Sequence, residues 1–341
     1  MIMTESRPGM THRKFLITGF SGFVGRNFTE YLNSSGEIFE VLGIDTREPE
    51  IKKENYGNLN IDFHRADLRD REKLCKTVYN FKPDYILHLA SFSSVAGSWQ
   101  NPGYSFQNNV NIFLNLLEAV KVIGYPSRII SVGSSEEYGN VNIDALPLTE
   151  ENVPNPSSPF GIARLSQEML AKLYVNVHGL DIIMTRSFNH IGAGQNENFA
   201  VASFARQLVE IKYINNGEFL LAGDVNIIRD FIDVRDVVKA YYRLFKEGKK
   251  GEVYNVCSGQ GISLKNIINI MSELLNMRIT IKEDRSLKRP KDNPVIIGSN
   301  KKLKTEIHWE NEIPIEKSLQ DVLNYYIGKV EHSKSSNFIV S

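Results

Sequence analysis

The stretch Lys14-Phe-Leu-Ile-Thr-Gly-Phe-Ser-Gly-Phe-Val-Gly25 constrains this chain more than any other. An apolar run, Phe15 to Ile17, meets Gly19, Gly22 and Gly25 and then an amphipathic segment from Phe23 to Leu32. That order predicts a buried strand, a tight turn and a helix. Glycine admits positive φ and close backbone approach, while a helix N-terminus offers unpaired N–H groups and the positive end of its dipole. Such a turn suits a dinucleotide pyrophosphate, with Gly19, Phe20, Gly22, Phe23, Val24 and Gly25 as its contact set. The spacing is G-x-x-G-x-x-G, not the commoner G-x-G-x-x-G, so the triplet alone also fits a plain strand-to-helix turn. Context favours the dinucleotide, because Asp45 closes the next apolar run about 20 residues past the last glycine.

Phe39 to Asp45, Ile61 to Ala66, Tyr85 to Leu89 and Arg128 to Val132 read as further strands with helical patterns between them. This alternation implies an α/β fold: a Rossmann-type, doubly wound parallel sheet covered on both faces. Residues 14–180, with interleaved later segments, are expected to form a dinucleotide-binding domain. Residues 181–328 are expected to form mainly a smaller interleaved C-terminal substrate lobe, with 1–13 a flexible leader and 329–341 a mobile tail. Asp45 is placed to accept the adenosine ribose hydroxyls, and its charge repels a 2′-phosphate, which favours NAD over NADP. Arg47 is suited to pair with such a phosphate, so NADP stays open, and a helix cap is the plain alternative for Asp45.

Charge and cysteine content remove several classes. The 40 Lys and Arg balance 40 Asp and Glu with no long basic run, which argues against nucleic acid and against an anionic membrane surface. Cys75 and Cys257 are too few for a disulfide framework or a zinc site and suit a reducing cytoplasm, and no metal is expected. No apolar run reaches the length of a membrane span, and Met1 to Arg13 lacks the apolar core of a signal peptide.

Asp67-Leu68 follows the third strand, and His88-Leu89-Ala90-Ser91 follows the fourth, with Ser93 and Ser94 in the same loop. Carboxyl ends of parallel strands are where open α/β sheets bind ligands. From Lys14 to about Tyr326 the chain resembles the extended short-chain dehydrogenase/reductase family. The resemblance implies that Asp67 and Leu68 flank adenine, that Leu89, Ala90, Ser91, Asn109 and Phe188 line the cofactor, and that Ser93 and Ser94 face the substrate. Gly133-Ser-Ser-Glu-Glu-Tyr-Gly139, after the fifth strand, looks like the family's active-site turn. Arg186-Ser-Phe-Asn-His-Ile-Gly192, Ile228-Arg-Asp-Phe-Ile-Asp-Val-Arg-Asp236, Tyr254-Asn-Val-Cys-Ser-Gly259, Arg289-Pro290 and Ile297-Gly-Ser-Asn-Lys-Lys-Leu303 follow in order. Together they are similar to the branch of GDP-4-keto-6-deoxy-D-mannose reductases and GDP-mannose 4,6-dehydratases.

One block departs from the family. Where it carries Tyr-x-x-x-Lys within Ser-Pro-Tyr-Gly-x-Ser-Lys, this chain reads Ser158-Pro-Phe160-Gly-Ile-Ala-Arg164. The spacing puts both side chains on one helical face. Phe160 lacks the phenol that exchanges a proton with the sugar oxygen, and Arg164 can bind ribose hydroxyls but cannot move a proton near neutral pH. A positioned acid or base is worth about 10² to 10⁴ in rate, so its loss slows the chemistry without abolishing it. Substitutes stand in the same turn: Ser134, Ser135, Glu136, Glu137 and Tyr138. Each has a plain alternative, Ser134 as a cap, Glu137 as a solvated acid, Tyr138 as a packed core phenol.

The second half is expected to hold the nucleotide sugar. The resemblance implies that Asn189 contacts a diphosphate, while His190 reads as structural. Phe199 to Ile214 reads as a helix presenting Arg206 to base or phosphate, and Arg229 and Arg289 suit a bidentate diphosphate clamp. Lys282, Lys288 and Lys291 read as a basic lid or a solvated loop, with Asp292 near a ribose. Helical segments Phe106 to Val122 and Arg164 to Val177 carry broad apolar faces. In the resembled family this pair forms a dimer interface, which implies a homodimer or tetramer; packing on the sheet is the alternative. The expected function is NAD(P)-dependent hydride exchange at C4 of a GDP-mannose-type sugar in bacterial surface-polysaccharide synthesis, as a 4-keto reductase or 4-dehydrogenase. A 4,6-dehydratase or epimerase and a nucleotide-sugar-binding protein are the alternatives.

Overall fold

The computed structural model describes residues 13–50, 55–215, 217–287 and 293–338. Its strands are β1 (Arg13–Thr18), β2 (Phe39–Asp45), β3 (Leu59–Arg65), β4 (Tyr85–His88), β5 (Arg128–Val132) and β6 (Asp181–Ser187). Further along come β7 (Asn189–Ile191), β8 (Phe219–Ala222), β9 (Ile228–Asp233), β10 (Val253–Val256), β11 (Gly261–Ser263), β12 (Thr280–Glu283) and β13 (Val295–Ile296). Seven strands make the main sheet in the order β3-β2-β1-β4-β5-β6-β10, every pair parallel. Thr18 lies beside His88, and His88 beside Ser131, so the central strands finish level at their carboxyl ends. The order reverses between β1 and β4, and the crevice there is where a sheet of this kind binds its ligand.

The apolar runs of β1 and its neighbours are continuous because helices cover both faces. On one face Phe15, Ile17 and Leu87 pack with Phe28 of the helix Phe23–Ser34 and Phe245 of the helix Val234–Glu247. On the other, Leu16, Ile86 and Ile129 pack with Phe113 of the helix Ile112–Ile123 and Tyr174 of the helix Pro159–His178. Ser158 caps the last of these by accepting the Gly161 N–H at 3.0 Å, and Gly179, at φ 68°, closes it. β6, β10 and the helix Val234–Glu247 belong to this main layer although they lie past residue 180. A smaller lobe is built from β7, β9, β11 and β13, with β8 paired to β12, and from the helices Ala200–Ile214, Leu264–Leu274 and Ile315–Phe338.

Three expectations need correction. The segment Phe106 to Val122 is not one helix: Pro102–Phe106 is followed by a π-turn, Gln107–Asn111, before Ile112–Ile123 begins. The tail is helical as far as Phe338, because Leu319, Val322, Leu323 and Tyr326 bury one face of that helix against the smaller lobe. Arg13, assigned to the leader, opens β1. Residues 1–12 and Lys288, Arg289, Lys291 and Asp292 lie outside the described residues. Among the described residues no helix is long and apolar enough to cross a membrane, and no cluster of His, Cys, Asp and Glu is able to hold a metal ion.

Candidate active site

The glycine turn joins β1 to the helix Phe23–Ser34. Gly19 has φ +71°, and a Cβ built on it would stand 2.7 Å from the Ala90 nitrogen, so the ends of β1 and β4 meet at backbone contact. A Cβ on Gly25 would stand 2.5 Å from the Phe20 carbonyl oxygen, which lets the helix lie directly on the turn. Gly22 starts the helix with no side-chain cap, and no acid stands in the first turn. A bare helix start behind a cradle that any Cβ would fill fits a pyrophosphate. The Phe20 side chain does not line it, since the ring is buried under Gly43 and near Phe63. Asp45 is fixed by two backbone donors, Ser21 N–H to Oδ2 and Arg47 N–H to Oδ1, each at 3.1 Å. It is a brace for the loop.

Past β3, Asp67 is paired with Arg69, whose Nε lies 3.0 Å from both carboxylate oxygens, and that pairing holds it below the usual carboxylate range. Leu68 is buried in the core, and its carbonyl accepts Asn115 Nδ2 at 3.0 Å. Past β4, Leu89 and Ala90 donate their N–H groups to Thr18, at 3.1 Å to its carbonyl and 3.3 Å to Oγ1. Thr18 Oγ1 also meets His88 Nδ1 at 2.9 Å, and burial with Arg164 nearby pushes His88 down to about 3, so the ring is neutral. Ser93 is exposed, and Ser94 caps the helix Val95–Gln100. Asn109 lies fully buried in the π-turn, its Nδ2 on the Ser105 carbonyl at 2.7 Å and its Oδ1 without a protein partner.

The turn after β5 is a short 3-10 helix, Ser135–Glu137, closed by a capping box: Ser134 Oγ accepts the Glu136 N–H at 3.2 Å, and Glu137 Oε1 accepts the Ser134 N–H at 2.7 Å. Ser134 thus caps and still retains its hydroxyl proton for another acceptor. Ser135 is buried and Glu136 half-buried. A Cβ on Gly161 would stand 2.5 Å from the Glu136 carbonyl, so the turn and the start of the helix Pro159–His178 are pressed together. Phe160, 4% exposed, donates its N–H to Ser98 Oγ at 3.2 Å. The Arg164 guanidinium lies over the Phe160 ring, 5.2 Å from its centre, and Nη1 donates to the Val132 carbonyl at 3.0 Å and Gln167 Oε1 at 2.9 Å. Burial draws Arg164 down to about 10, so it remains a cation at neutral pH.

Tyr138 does not belong to this face. Its phenol oxygen lies 2.7 Å from Asn255 Oδ1 and 2.9 Å from the Thr149 carbonyl, two acceptors that share its one proton, its ring packs under Arg186, and burial pushes the phenol's titration upward. Replacing it tests this placement. Tyr138→Phe is expected to lower stability by about 1 to 3 kcal/mol, through the unpaired Asn255 acceptor, with kcat within twofold of wild type. A denaturant midpoint and a steady-state assay check it, and a tenfold fall in kcat at unchanged stability would contradict it.

On the substrate side, Asn189 Nδ2 donates to the Asp230 carbonyl at 3.1 Å, and Arg229 is buried with Nη1 on the Ile228 carbonyl at 2.8 Å. Asp230, which sequence reasoning passed over, collects the N–H and Oγ of Ser258 at 2.8 and 2.6 Å and the Gly259 N–H at 3.0 Å. It braces Arg229's strand to the loop after β10, and burial raises it to about 6. The half-buried His190 is pushed by desolvation down to about 4 and is neutral. Phe188 is buried beside Tyr138. Arg206, expected at base or phosphate, is ion-paired to Glu197 at 2.9 Å and to Glu210 at 2.8 Å. The ends of β1, β4 and β5 with the start of the helix Pro159–His178 therefore gather the glycine turn, Leu89 to Ser91, Ser134 to Glu136, Phe160 and Arg164 around one crevice.

This arrangement has known counterparts. The model of the GDP-mannose 4,6-dehydratase family matches residues 16–322. The chain is 33% identical to the GDP-6-deoxy-D-mannose reductase of Pseudomonas aeruginosa over 94% of its length and 99% of that protein's. The structure of RMD from Pseudomonas aeruginosa complexed with NADPH superposes with a TM-score of 0.82 at 31% identity, covering 93% of this chain and 99% of that one. A UDP-glucose 4-epimerase from Thermus thermophilus in complex with NAD gives 0.81 at 26% identity, covering 92% and 99%. By the extent of its match and the order of its motifs, the chain belongs to the GDP-mannose 4,6-dehydratase family.

Proposed function

We propose that the protein exchanges a hydride at C4 of a GDP-linked sugar, as a 4-keto reductase or the reverse 4-dehydrogenase. The observation that carries this reading is the end-to-end likeness to a GDP-6-deoxy-D-mannose reductase, in a chain whose glycine and serine turns face one crevice. Gly19, Gly22 and Gly25 hold the pyrophosphate of a nicotinamide dinucleotide, and Asp45 holds its adenosine ribose. When bound, that group supplies the redox chemistry. Ser134 donates its remaining proton to the sugar oxygen, and Ser135 and Glu136 complete the polar wall. Phe160 closes the site against water, and Arg164 contributes positive charge without giving up a proton. Asn189, Arg229, Arg289 and Asp292 hold the nucleotide diphosphate and its ribose, with Ser93 and Ser94 on the sugar. The work takes place in the cytoplasm and feeds surface-polysaccharide synthesis.

Product masses test the reading. A GDP-4-keto-6-deoxy sugar given with reduced nicotinamide is expected to gain two hydrogens. Loss of water from GDP-mannose would instead favour the dehydratase reading that Glu136 also permits, and unchanged masses with tight binding would leave a binding protein.

NAD is the favoured cofactor because an acid at the Asp45 position repels a 2′-phosphate. Asp45→Ser is expected to raise the NADPH-to-NADH affinity ratio by about tenfold or more, as removal of one near repulsion of roughly 1.4 kcal/mol implies. Fluorescence titration of both cofactors measures it, and an unmoved ratio would count against Asp45 as the selector.

A homodimer is the proposed assembly. Ile162, Met169, Leu173 and Val177 form an exposed apolar stripe along the helix Pro159–His178, beside exposed Tyr104 and Phe106. Light scattering is expected to give two chains for wild type and one for Leu173→Glu with Met169→Glu. A wild-type mass of one chain would sink the assignment.

A further inference from the structure

Directly behind the active-site turn lies a buried charge cluster in which one carboxylate oxygen has no donor. Glu137 is 0% exposed, Arg186 2% and Glu168 4%. Glu168 binds Arg186 in a two-pronged pair, Nε to Oε2 and Nη2 to Oε1, both 2.9 Å, and accepts Lys172 Nζ at 2.7 Å. Arg186 Nη1 donates to the Glu150 carbonyl at 3.2 Å, and the guanidinium stacks 4.7 Å from the centre of the Tyr138 ring. One carboxylate thus satisfies Arg186. Glu137 gives Oε1 to the Ser134 N–H at 2.7 Å, while its Oε2 lies 3.8 Å from Arg186 Nε, the same nitrogen that binds Glu168, and receives no donor. Arg164 is the other cation that faces it, from one turn before Glu168 on the same helix.

Two ionised carboxylates in contact, out of water and sharing one guanidinium, repel strongly, and a single proton between them turns the repulsion into a hydrogen bond. Burial and the neighbouring Glu168 carboxylate raise Glu137 well above the usual range, whereas Arg186 holds Glu168 below it. The backbone makes room for this arrangement, since a Cβ on Gly133 would stand 2.4 Å from Glu137 Oε1. We propose that Glu137 is a positioning residue working as a neutral carboxylic acid, one oxygen accepting the Ser134 N–H and the other donating to Glu168. It thereby ties the serine turn to the helix that carries Phe160 and Arg164 and to the strand that carries Arg186. Its effect on Ser134 is one of placement, and no proton is delivered to substrate.

The kinetic arm of the test rests on the C4 reading, and the spectroscopic arm does not. Glu137→Leu removes both hydrogen bonds and is expected to lower kcat about tenfold to 100-fold, the scale of an ångström-sized misplacement, with KM within threefold. Glu137→Gln can accept from Ser134 and donate to Glu168, so it is expected to rescue most of kcat. Wild-type kcat is expected to fall as pH rises through the raised titration of Glu137, and the Gln variant to lose that fall. Infrared spectroscopy is expected to find a protonated carboxyl stretch in wild type at neutral pH that is missing from Glu137→Gln. A Gln variant as impaired as Leu, a fully active Leu variant, or absence of the acid band would each overturn the proposal; if Leu does not fold, the Gln rescue and the band decide it. A wild-type protein inert toward every GDP-sugar, yet showing the band, would count against the C4 reading instead.

Discussion

Phe160→Tyr combined with Arg164→Lys is expected to raise kcat for C4 hydride exchange about 100-fold, the lower part of what a positioned acid or base contributes. Phe160 sits at the second position of a helix started by Pro159 and capped by Ser158, so the hydroxyl is added to a ring whose backbone is already fixed. Arg164 now lies over that ring and is held on the Val132 carbonyl and Gln167. Lysine in its place can reach the same carbonyl as a compact charge that lowers a neighbouring phenol's pKa. On the proposed reading Ser134 already donates to the sugar oxygen, which is why the top of the range is not expected. The single change Phe160→Tyr should give an intermediate gain. Steady-state rates at saturating cofactor check both, and no gain from the double change would mean that another group already completes the proton transfer.

Gly19→Ala is expected to weaken nicotinamide dinucleotide binding at least about 100-fold, a loss of roughly 3 kcal/mol. Alanine at φ +71° carries a left-handed backbone penalty of about 1 kcal/mol. The rest comes from contact, because the new methyl would meet the Ala90 nitrogen at 2.7 Å and the Leu89 carbonyl carbon at 2.9 Å, and these are backbone atoms at the end of β4. Relief requires the β1 and β4 ends to separate, which opens the crevice in which the cofactor is held. Gly36→Ala is the control, having φ +77° but no atom within 4 Å of the added carbon. It should share the backbone penalty and leave cofactor affinity unchanged. Calorimetric titration distinguishes the two, and equal losses in both would show that strain alone, not the crevice, is at work.

The central strands of the main sheet were legible because they are buried on both faces. Phe39–Asp45 and Arg128–Val132 have the bounds that their apolar runs suggest. The smaller lobe was not, since β7, β11 and β13 have only two or three residues and pair with β9 far along the chain. A period of 3.6 cannot show the π-turn at Gln107–Asn111, which inserts a residue without breaking the apolar face. In the site, glycine spacing and Asp45 carried their own signal, because backbone freedom and charge are properties of the residue itself. Glu137 and Arg206 carried none. Their roles are set by Glu168, Arg186 and Glu197, and which acids and bases become neighbours is decided by the fold. Tyr138 fits the packed core phenol that was its plain alternative, its hydroxyl meeting Asn255 from β10, a partner that sequence order does not show.

The most direct measurement follows deuterium from reduced nicotinamide, labelled on the transferred face of its ring, into a GDP-4-keto-6-deoxy sugar, with proton NMR and mass spectrometry of the product. The expected result is one deuterium, at sugar C4, in a product two mass units heavier from protium transfer and three from deuterium. Label absent from C4, or a product that has lost water, would contradict C4 oxidoreduction as the activity of this protein.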